Sequence, residues 1–291
     1  MPQHRILYLS THQLVAYRWS RGVVHQEASF DSGGTGLPAF EAYLQQHRSS
    51  IFHLLANLAE EGFQLETIPF LQSTDRKSVI ARKLSQLFYT TPYTAAQSLG
   101  YEKTRRKDEN VLFTALTSAT TLEPWIAAIE EARVALSGVY SLPFLGSALL
   151  RKLKIPDERC LLLTLQDQSI RETYFEKGAL HFSRLSPLAH TSIGGIAQGF
   201  ATEALKLHQY LLSQRLVARN QPIRAVIVSH PQALKAVEAS CVNTDSLSYE
   251  IISTDHAASA IGLKSAPSDS HADTLFAHLL AQAAPAVQFA P

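Results

Sequence analysis

Arg5–Phe30 reads RILYLSTHQLVAYRWSRGVVHQEASF, and at an offset of 156 residues Leu161–Ser186 reads LLLTLQDQSIRETYFEKGALHFSRLS. In the first stretch Trp19, Arg21, Gly22 and His25 follow an apolar run at Ile6, Leu7 and Leu9. In the second, Phe175, Lys177, Gly178 and His181 follow Leu162, Leu163 and Leu165, and no gap is needed to superpose the two. Each copy predicts an apolar strand, a short polar turn, a second strand ending on an aromatic, a basic-Gly turn and a third strand. A meander that occurs twice, each time followed by helical sequence, implies one α/β unit built twice.

The 291 residues suffice for two domains with separate cores. A hydrophobic share of 46% with 18% charged residues is that of a globular chain, and 26 Lys and Arg against 25 Asp and Glu leave no field that would draw nucleic acid. Cys160 and Cys241 are the only cysteines, each beside or within an apolar segment, so neither a disulfide framework nor a cysteine-built zinc site is expected, and a reducing compartment is. The N-terminus lacks the apolar core of a signal peptide, and no run of about 18 apolar residues could span a bilayer. The expectation is a soluble chain.

Working outward, Asp31–Gly36 (DSGGTG) reads as a flexible connection. Gly33, Gly34 and Gly36 lack the Lys-Ser/Thr that would make them a phosphate-binding loop. Pro38 opens an amphipathic helix expected to run to about Glu61, with a break near Ser49 and Ser50. Asp75 is expected to cap a helix with Val79, Ile80, Leu84, Leu87 and Phe88 on its apolar face. Strands over Thr94–Tyr101 and Val111–Thr117 flank the charged tip EKTRRKDEN, whose Lys103, Arg105, Arg106 and Lys107 read as a solvated hairpin end. A helix over Leu122–Ala132 and a strand through Val139 and Tyr140 complete a small α+β subdomain, placed at about residues 75–140. In the second half a helix is expected over Ile193–Ala218, with Leu205, Leu207, Leu211, Leu212 and Leu216 inward. A buried strand at Arg224–Ser229, a helix from Pro231, a strand at Leu247–Ile252 and a last helix over His271–Ala283 follow. The domains are thus 1–155 and 156–284, with 285–291 a loose tail or linker.

A duplicated meander with an α+β insertion in its first half resembles the actin/Hsp70/sugar-kinase superfamily. The likeness is to actin-like proteins of type IV pilus assembly and to the cytoplasmic part of the L component of type II secretion. Val111–Leu150 (VLFTALTSATTLEPWIAAIEEARVALSGVYSLPFLGSALL) carries it most closely, as strand, helix, strand and an apolar-aromatic-small-leucine helix that returns the chain to the main body. The resemblance implies an α/β fold of two actin/ribonuclease-H-like domains.

In nucleotide-using members of that superfamily the first strand of each meander ends in Asp-x-Gly, the carboxylate holding Mg²⁺ and the glycine letting backbone N–H groups approach phosphate. On the repeat register Tyr8 and Ser10 stand there in the first copy and Thr164 and Gln166 in the second. The Gly-rich adenosine turn would fall at Ser229, His230 and Pro231, where proline removes a donor. The resemblance therefore implies a fold kept and an ATPase lost: no catalytic residue, no metal site and no cofactor. Residual nucleotide contacts, if the cleft retains any, would come from Ser10, Thr11, His12, Gln13, Gln166, Asp167, Gln168 and Ser169, residues that otherwise cap turns and solvate a cleft. Asp167 is the carboxylate nearest to rescuing a metal site. Gly194 and Gly195 read equally as a phosphate contact and as a helix start with close packing.

The function expected from the resemblance is a non-catalytic cytoplasmic scaffold at the inner membrane face. Its partners would be an assembly ATPase and the tail of a membrane-anchored subunit, and its own membrane association would be indirect or through a segment beyond Pro291. The competing expectations are a divergent ATPase or small-molecule kinase and a self-polymerising filament protein.

Overall fold

The repeat in the sequence is a repeat of strands. In the computed structural model, which describes residues 3–33, 35–156, 158–166, 168–264, 272–285 and 287–289, the first meander is β1 (His4–Leu9), β2 (Gln13–Ser20) and β3 (Val23–Asp31). Then come α1 (Gly36–Gln46), β4 (Ile51–Ala56), β5 (Glu61–Ile68), α2 (Ser73–Leu87), β6 (Thr94–Tyr101), β7 (Glu109–Leu116), α3 (Ala119–Glu131) and β8 (Ala135–Ser141). A 3-10 turn at Leu142–Leu145 leads into α4 (Gly146–Lys152) and the second meander, β9 (Arg159–Gln166), β10 (Ser169–Glu176) and β11 (Ala179–Pro187). The chain continues through α5 (Ile193–Ser213), β12 (Ile223–Ser229), α6 (Leu234–Ser240), β13 (Leu247–Ser253), α7 (Thr254–Ile261) and α8 (Asp273–Gln282).

Two five-stranded sheets, ordered β3-β2-β1-β4-β8 and β11-β10-β9-β12-β13, correspond strand for strand. β1 runs antiparallel to β2 and parallel to β4, as β9 does to β10 and β12. Leu9 faces Leu14 across one hairpin and Leu165 faces Ile170 across the other, the same pair of positions 156 residues apart. The next turns agree in backbone as well: Arg21 (φ 51°) with Gly22 (φ 85°), and Lys177 (φ 51°) with Gly178 (φ 73°). Two successive left-handed residues match the right-handed twist of the flanking strands, and glycine takes the second place without a Cβ penalty.

The chain divides into two units, one of Met1–Arg18, His25–Phe144 and Ala284–Pro291 and the other of Trp19–Val24 and Leu145–Ala283. In the second, Leu161, Leu163, Leu165 and Ile170 from the sheet meet Ala197, Phe200, Ala204, Leu207 and Leu211 of α5 in one buried cluster, each Leu or Ile adding about 2 kcal/mol by burial. Leu205, expected inward, is 46% exposed; small residues at 197, 201 and 204 let α5 lie close on the sheet instead. In the first unit α1 packs on α3 through Phe40 and Trp125 (centroids 5.3 Å apart).

The structure corrects five expectations. The helix expected to reach Glu61 ends at Gln46, and Ile51–Ala56 forms β4 between β1 and β8. A parallel strand covered on both faces is a continuous apolar run, which 3.6-residue periodicity can mimic over six positions. The inserted sheet, ordered β5-β7-β6, spans Glu61–Leu116 rather than about 75–140, because α3 and β8 belong with the first five-stranded sheet and its helices. Its core is thin, with Ile68, Val111 and Phe113 fully buried under half-buried Val79, Ile80, Leu84, Leu87 and Phe88 of α2. Gln72, not Asp75, occupies the N-cap position of α2, without a side-chain bond. Within the connection read as flexible, Gly36 is held tightly: a Cβ there would sit 2.3 Å from the Asp31 carbonyl oxygen.

The fifth correction concerns the expected loose tail. Phe289 is fully buried, its N–H donates to the Val139 carbonyl at 2.9 Å in an antiparallel bridge, and its ring packs against Phe144. Gln288 Nε2 donates to the Ser137 carbonyl at 3.0 Å. The amide lies over Gly138, where a Cβ would come within 2.2 Å of it. β8 ends its sheet with open backbone groups and an apolar seat beside them, and the 287–289 segment satisfies both.

Candidate functional site

The first hairpin turn, Ser10–Gln13, closes on itself. Ser10 N–H donates to the Gln13 carbonyl at 2.9 Å, and Ser10 Oγ accepts from the N–H groups of His12 (3.3 Å) and Gln13 (3.2 Å). Ser32 ties down the far side, its N–H donating to the His12 carbonyl and its Oγ to the Thr11 carbonyl. Tyr8, on the register position of the metal-binding carboxylate, is buried and accepts from Asn57 Nδ2 at 2.8 Å. A phenol held by an amide supplies no negative charge for Mg²⁺.

Thr11 also lines a recess of about 350 Å³ with Asp31, Ser32, Leu37, Thr120, Thr121, Pro124 and Trp125. Asp31 is the charged group among these described lining residues, and its Oδ1 accepts the Gly33 N–H at 2.9 Å. A carboxylate without a paired cation repels phosphate, so hydroxyls and an aromatic wall make this a place for neutral ligand groups.

In the second hairpin Gln166 pairs with Ser169, and Gln168 takes a left-handed φ of 63°. Asp167, the carboxylate singled out above, lies outside the described residues, as do Gly34 and His271. Gln166 is buried and donates from Nε2 to Thr164 Oγ1 at 2.9 Å, so the side chains at the carboxylate and glycine positions bond each other. The Gln168 carbonyl accepts the Leu188 N–H. After β12, His230 Nδ1 accepts the Gln232 N–H at 3.3 Å and caps the turn that Pro231 opens.

At the start of α5, Ser192 Oγ accepts the Gly195 N–H at 3.2 Å. The two glycines there differ. A Cβ on Gly195 would fall 2.6 Å from the His190 side chain and 2.7 Å from its carbonyl oxygen, so packing requires it; a Cβ on Gly194 would meet nothing within 4 Å. The cysteines are inert: burial raises the Cys160 thiol to about 12 and the Cys241 thiol to about 11. Among the described residues no group of three or more His, Cys, Asp or Glu is placed to hold a metal ion, and no helix is long and apolar enough to cross a membrane.

Asn57 was missed in the sequence because the stretch before it read as helix, and its partner Tyr8 is 49 residues away. Thr120 and Thr121 join the recess only through the packing of α3 on α1.

No protein-family model matches this sequence, and no curated protein matches it. Among solved structures, the chain is similar to a chain of the PilM–PilN type IV pilus biogenesis complex, at a TM-score of 0.62 and 10% identity over 96% of this chain and 97% of that one. It is similar to a Bacteroides thetaiotaomicron protein of actin-like ATPase fold at 0.50 and 8%, over 86% and 90%. It also matches the cytoplasmic domain of EpsL, an inner membrane component of the type II secretion system of Vibrio cholerae, at 0.46 and 12%, over 96% and 93%. The chain has the actin-like fold.

Proposed function

We propose that this chain is a non-catalytic actin-like scaffold of a type IV pilus or type II secretion assembly system, binding partner proteins at the cytoplasmic face of the inner membrane. One observation carries the reading. At both hairpins the positions of the metal carboxylate and the phosphate-turn glycine hold side chains bonded within the fold, Tyr8 to Asn57 with Ser10 closing its own turn, and Gln166 to Thr164. An enzyme acting on a triphosphate needs charge neutralisation and a backbone cradle together; these side chains provide neither.

The likeness in fold to a chain of the PilM–PilN complex supports a role in partner binding. The partners proposed are the tail of a membrane-anchored subunit and an assembly ATPase, with no cofactor. The competing reading is a divergent ATPase or small-molecule kinase that keeps residual nucleotide binding through turn residues such as Ser10, Thr11 and Gln168.

A thermal unfolding series in Mg-ATP separates the two. A ligand bound only by the native state at a hundred times its Kd adds about 2.7 kcal/mol. The expected result is an unchanged midpoint at millimolar Mg-ATP, with co-purification of a membrane subunit's cytoplasmic tail from the native host. A rise of several degrees would overturn the scaffold reading.

A further inference from the structure

In the inserted subdomain α2 and β6 run side by side in opposite directions. Arg76, near the start of α2, forms a two-bonded ion pair with Glu109, which lies across from Tyr101 at the end of β6. At the other end Leu84 and Phe88 share a recess of about 500 Å³ with Ala81, Ser85, Tyr89 and Thr94, the first residue of β6. β6 is an edge of its sheet, regular from Thr94 to Ser98, where a bulge toward Gly100 breaks its register. A trough between a helix and an open strand edge is where an extended peptide gains main-chain pairing from one wall and side-chain contacts from the other.

The walls specify what fits. No residue of α2 is fully buried, and Tyr89 at the end of the recess is 83% exposed. Of the four basic residues on α2, Arg76 is spent on Glu109 and Lys83 on Glu66. Lys77 and Arg82 are exposed and, among the described residues, have no ion-pair partner, but Arg82, two residues from Leu84, lies about 160° around the helix from it and faces away from the recess. Lys77 lies on the helical stripe of Ala81, Leu84 and Phe88, at spacings of 4, 7 and 11 residues. From Leu84 back to Lys77 is about 11 Å along the helix, the reach of three to four extended residues. Exposed Lys103, Arg105, Arg106 and Lys107 stand at the same end, beyond β6.

We infer that this trough binds an extended acidic segment of a partner protein, paired antiparallel to β6, with an apolar side chain in the recess and carboxylates three and four residues earlier against Lys77. An antiparallel strand on β6 runs with α2, which puts the carboxylates on the N-terminal side of the anchor. The inference rests on the scaffold reading and gives it a surface and a partner chemistry.

Fluorescence anisotropy with labelled peptides tests it on the full chain. The first peptide carries Glu-Glu-Thr-Thr-Phe, the second places both Glu directly beside Phe, and the third replaces Glu with Lys. The expected order is first over second by at least fivefold, with the third unbound. Lys77→Glu, and separately the uncharged Ala81→Trp, should each weaken the first peptide at least tenfold. Both changes sit at exposed positions, so unchanged unfolding midpoints verify folding, and hydrogen exchange should show protection over residues 94–98. Equal binding of all three peptides, no binding at millimolar concentration, protection elsewhere, or affinity untouched by the variants would each overturn the proposal. Self-association abolished by Ala81→Trp would assign the trough to a second copy of this chain and overturn it too. The Mg-ATP series is independent of these readouts, so loss of the trough leaves the scaffold reading standing, and a Mg-ATP shift removes that reading whatever the peptides do.

Discussion

The first sheet buries a cation, Arg5, and the second buries an anion, Glu172, beside a cation, Arg171. Arg5 on β1 is 4% exposed and donates from Nε to Glu27 at 2.8 Å and from Nη1 to Ser50; Tyr43 of α1 donates to the same carboxylate at 2.6 Å, and Arg18 joins from β2. Burial works to raise Glu27, but the Tyr43 hydroxyl and Arg5 outweigh it and hold the carboxyl below its usual range. In the second unit Glu172 on β10 is fully buried, accepting from Arg184 Nε at 2.8 Å and Ser186 Oγ at 2.7 Å, with Arg184 shared by Glu203. There burial wins over Arg184 and Ser186, and the carboxyl is raised to about 7. Strand register and turn backbone survived the doubling because they are set by period-two patterning. The buried polar positions drifted apart because each needs only its own local partners.

Truncating the first network should break the contrast most. Arg5→Leu leaves Ser50 without a donor and Glu27 with less cover, and is expected to cost about 3 kcal/mol or more in urea unfolding. Glu172→Gln, which keeps shape and amide bonding, should cost far less at pH 8.

The pH dependence sharpens the same contrast. Glu172 has a folded value near 7 against 4.5 unfolded, so the folded state holds the proton more tightly. Its contribution is greatest below pH 4.5, falls as pH rises toward 7 and is flat above, by about 3 kcal/mol at most. Glu172→Gln should remove that decline between pH 5 and 7, measured as a flatter stability curve. Glu27, held low, acts in the opposite direction: its stabilisation is present above 4.5 and is lost as the solution turns more acidic.

The paired glycines of α5 offer a smaller test. Gly195→Ala forces a Cβ against the His190 backbone and should lower stability by about 2 kcal/mol. Gly194→Ala has open space and should stabilise by up to about 1 kcal/mol through the unfolded chain. The smallest effect concerns β8. Gly138→Ala displaces the Gln288 amide and should cost under about 1 kcal/mol, detected as faster exchange of the Phe289 amide rather than as a changed midpoint.

Much of the architecture was legible because it lies in local rhythm. The 156-residue repeat located both meanders, the β6 and β7 strands showed as runs flanking a charged tip, and Ser229-His230-Pro231 showed a turn that excludes a glycine-rich contact. Other parts were illegible for definite reasons. β4 is apolar at all its positions but His53, so it looks like one side of a helix. β5 alternates weakly because its sheet has only a thin core on one side. The Val287–Phe289 segment carries no strand signal, since three residues form one only against an edge already present.

For the candidate site, residue identity alone shows that Tyr8, Ser10, Thr164 and Gln166 are neither carboxylates nor glycines, since no folding restores a missing charge or removes a Cβ. That Asn57 would hold Tyr8, that Thr120 would reach the recess of Thr11, and that Lys77 would be left without an ion-pair partner among the described residues beside an open strand could be seen only in the folded chain. Those relations join residues tens of positions apart, and packing chooses them from many pairings that the composition would allow equally well.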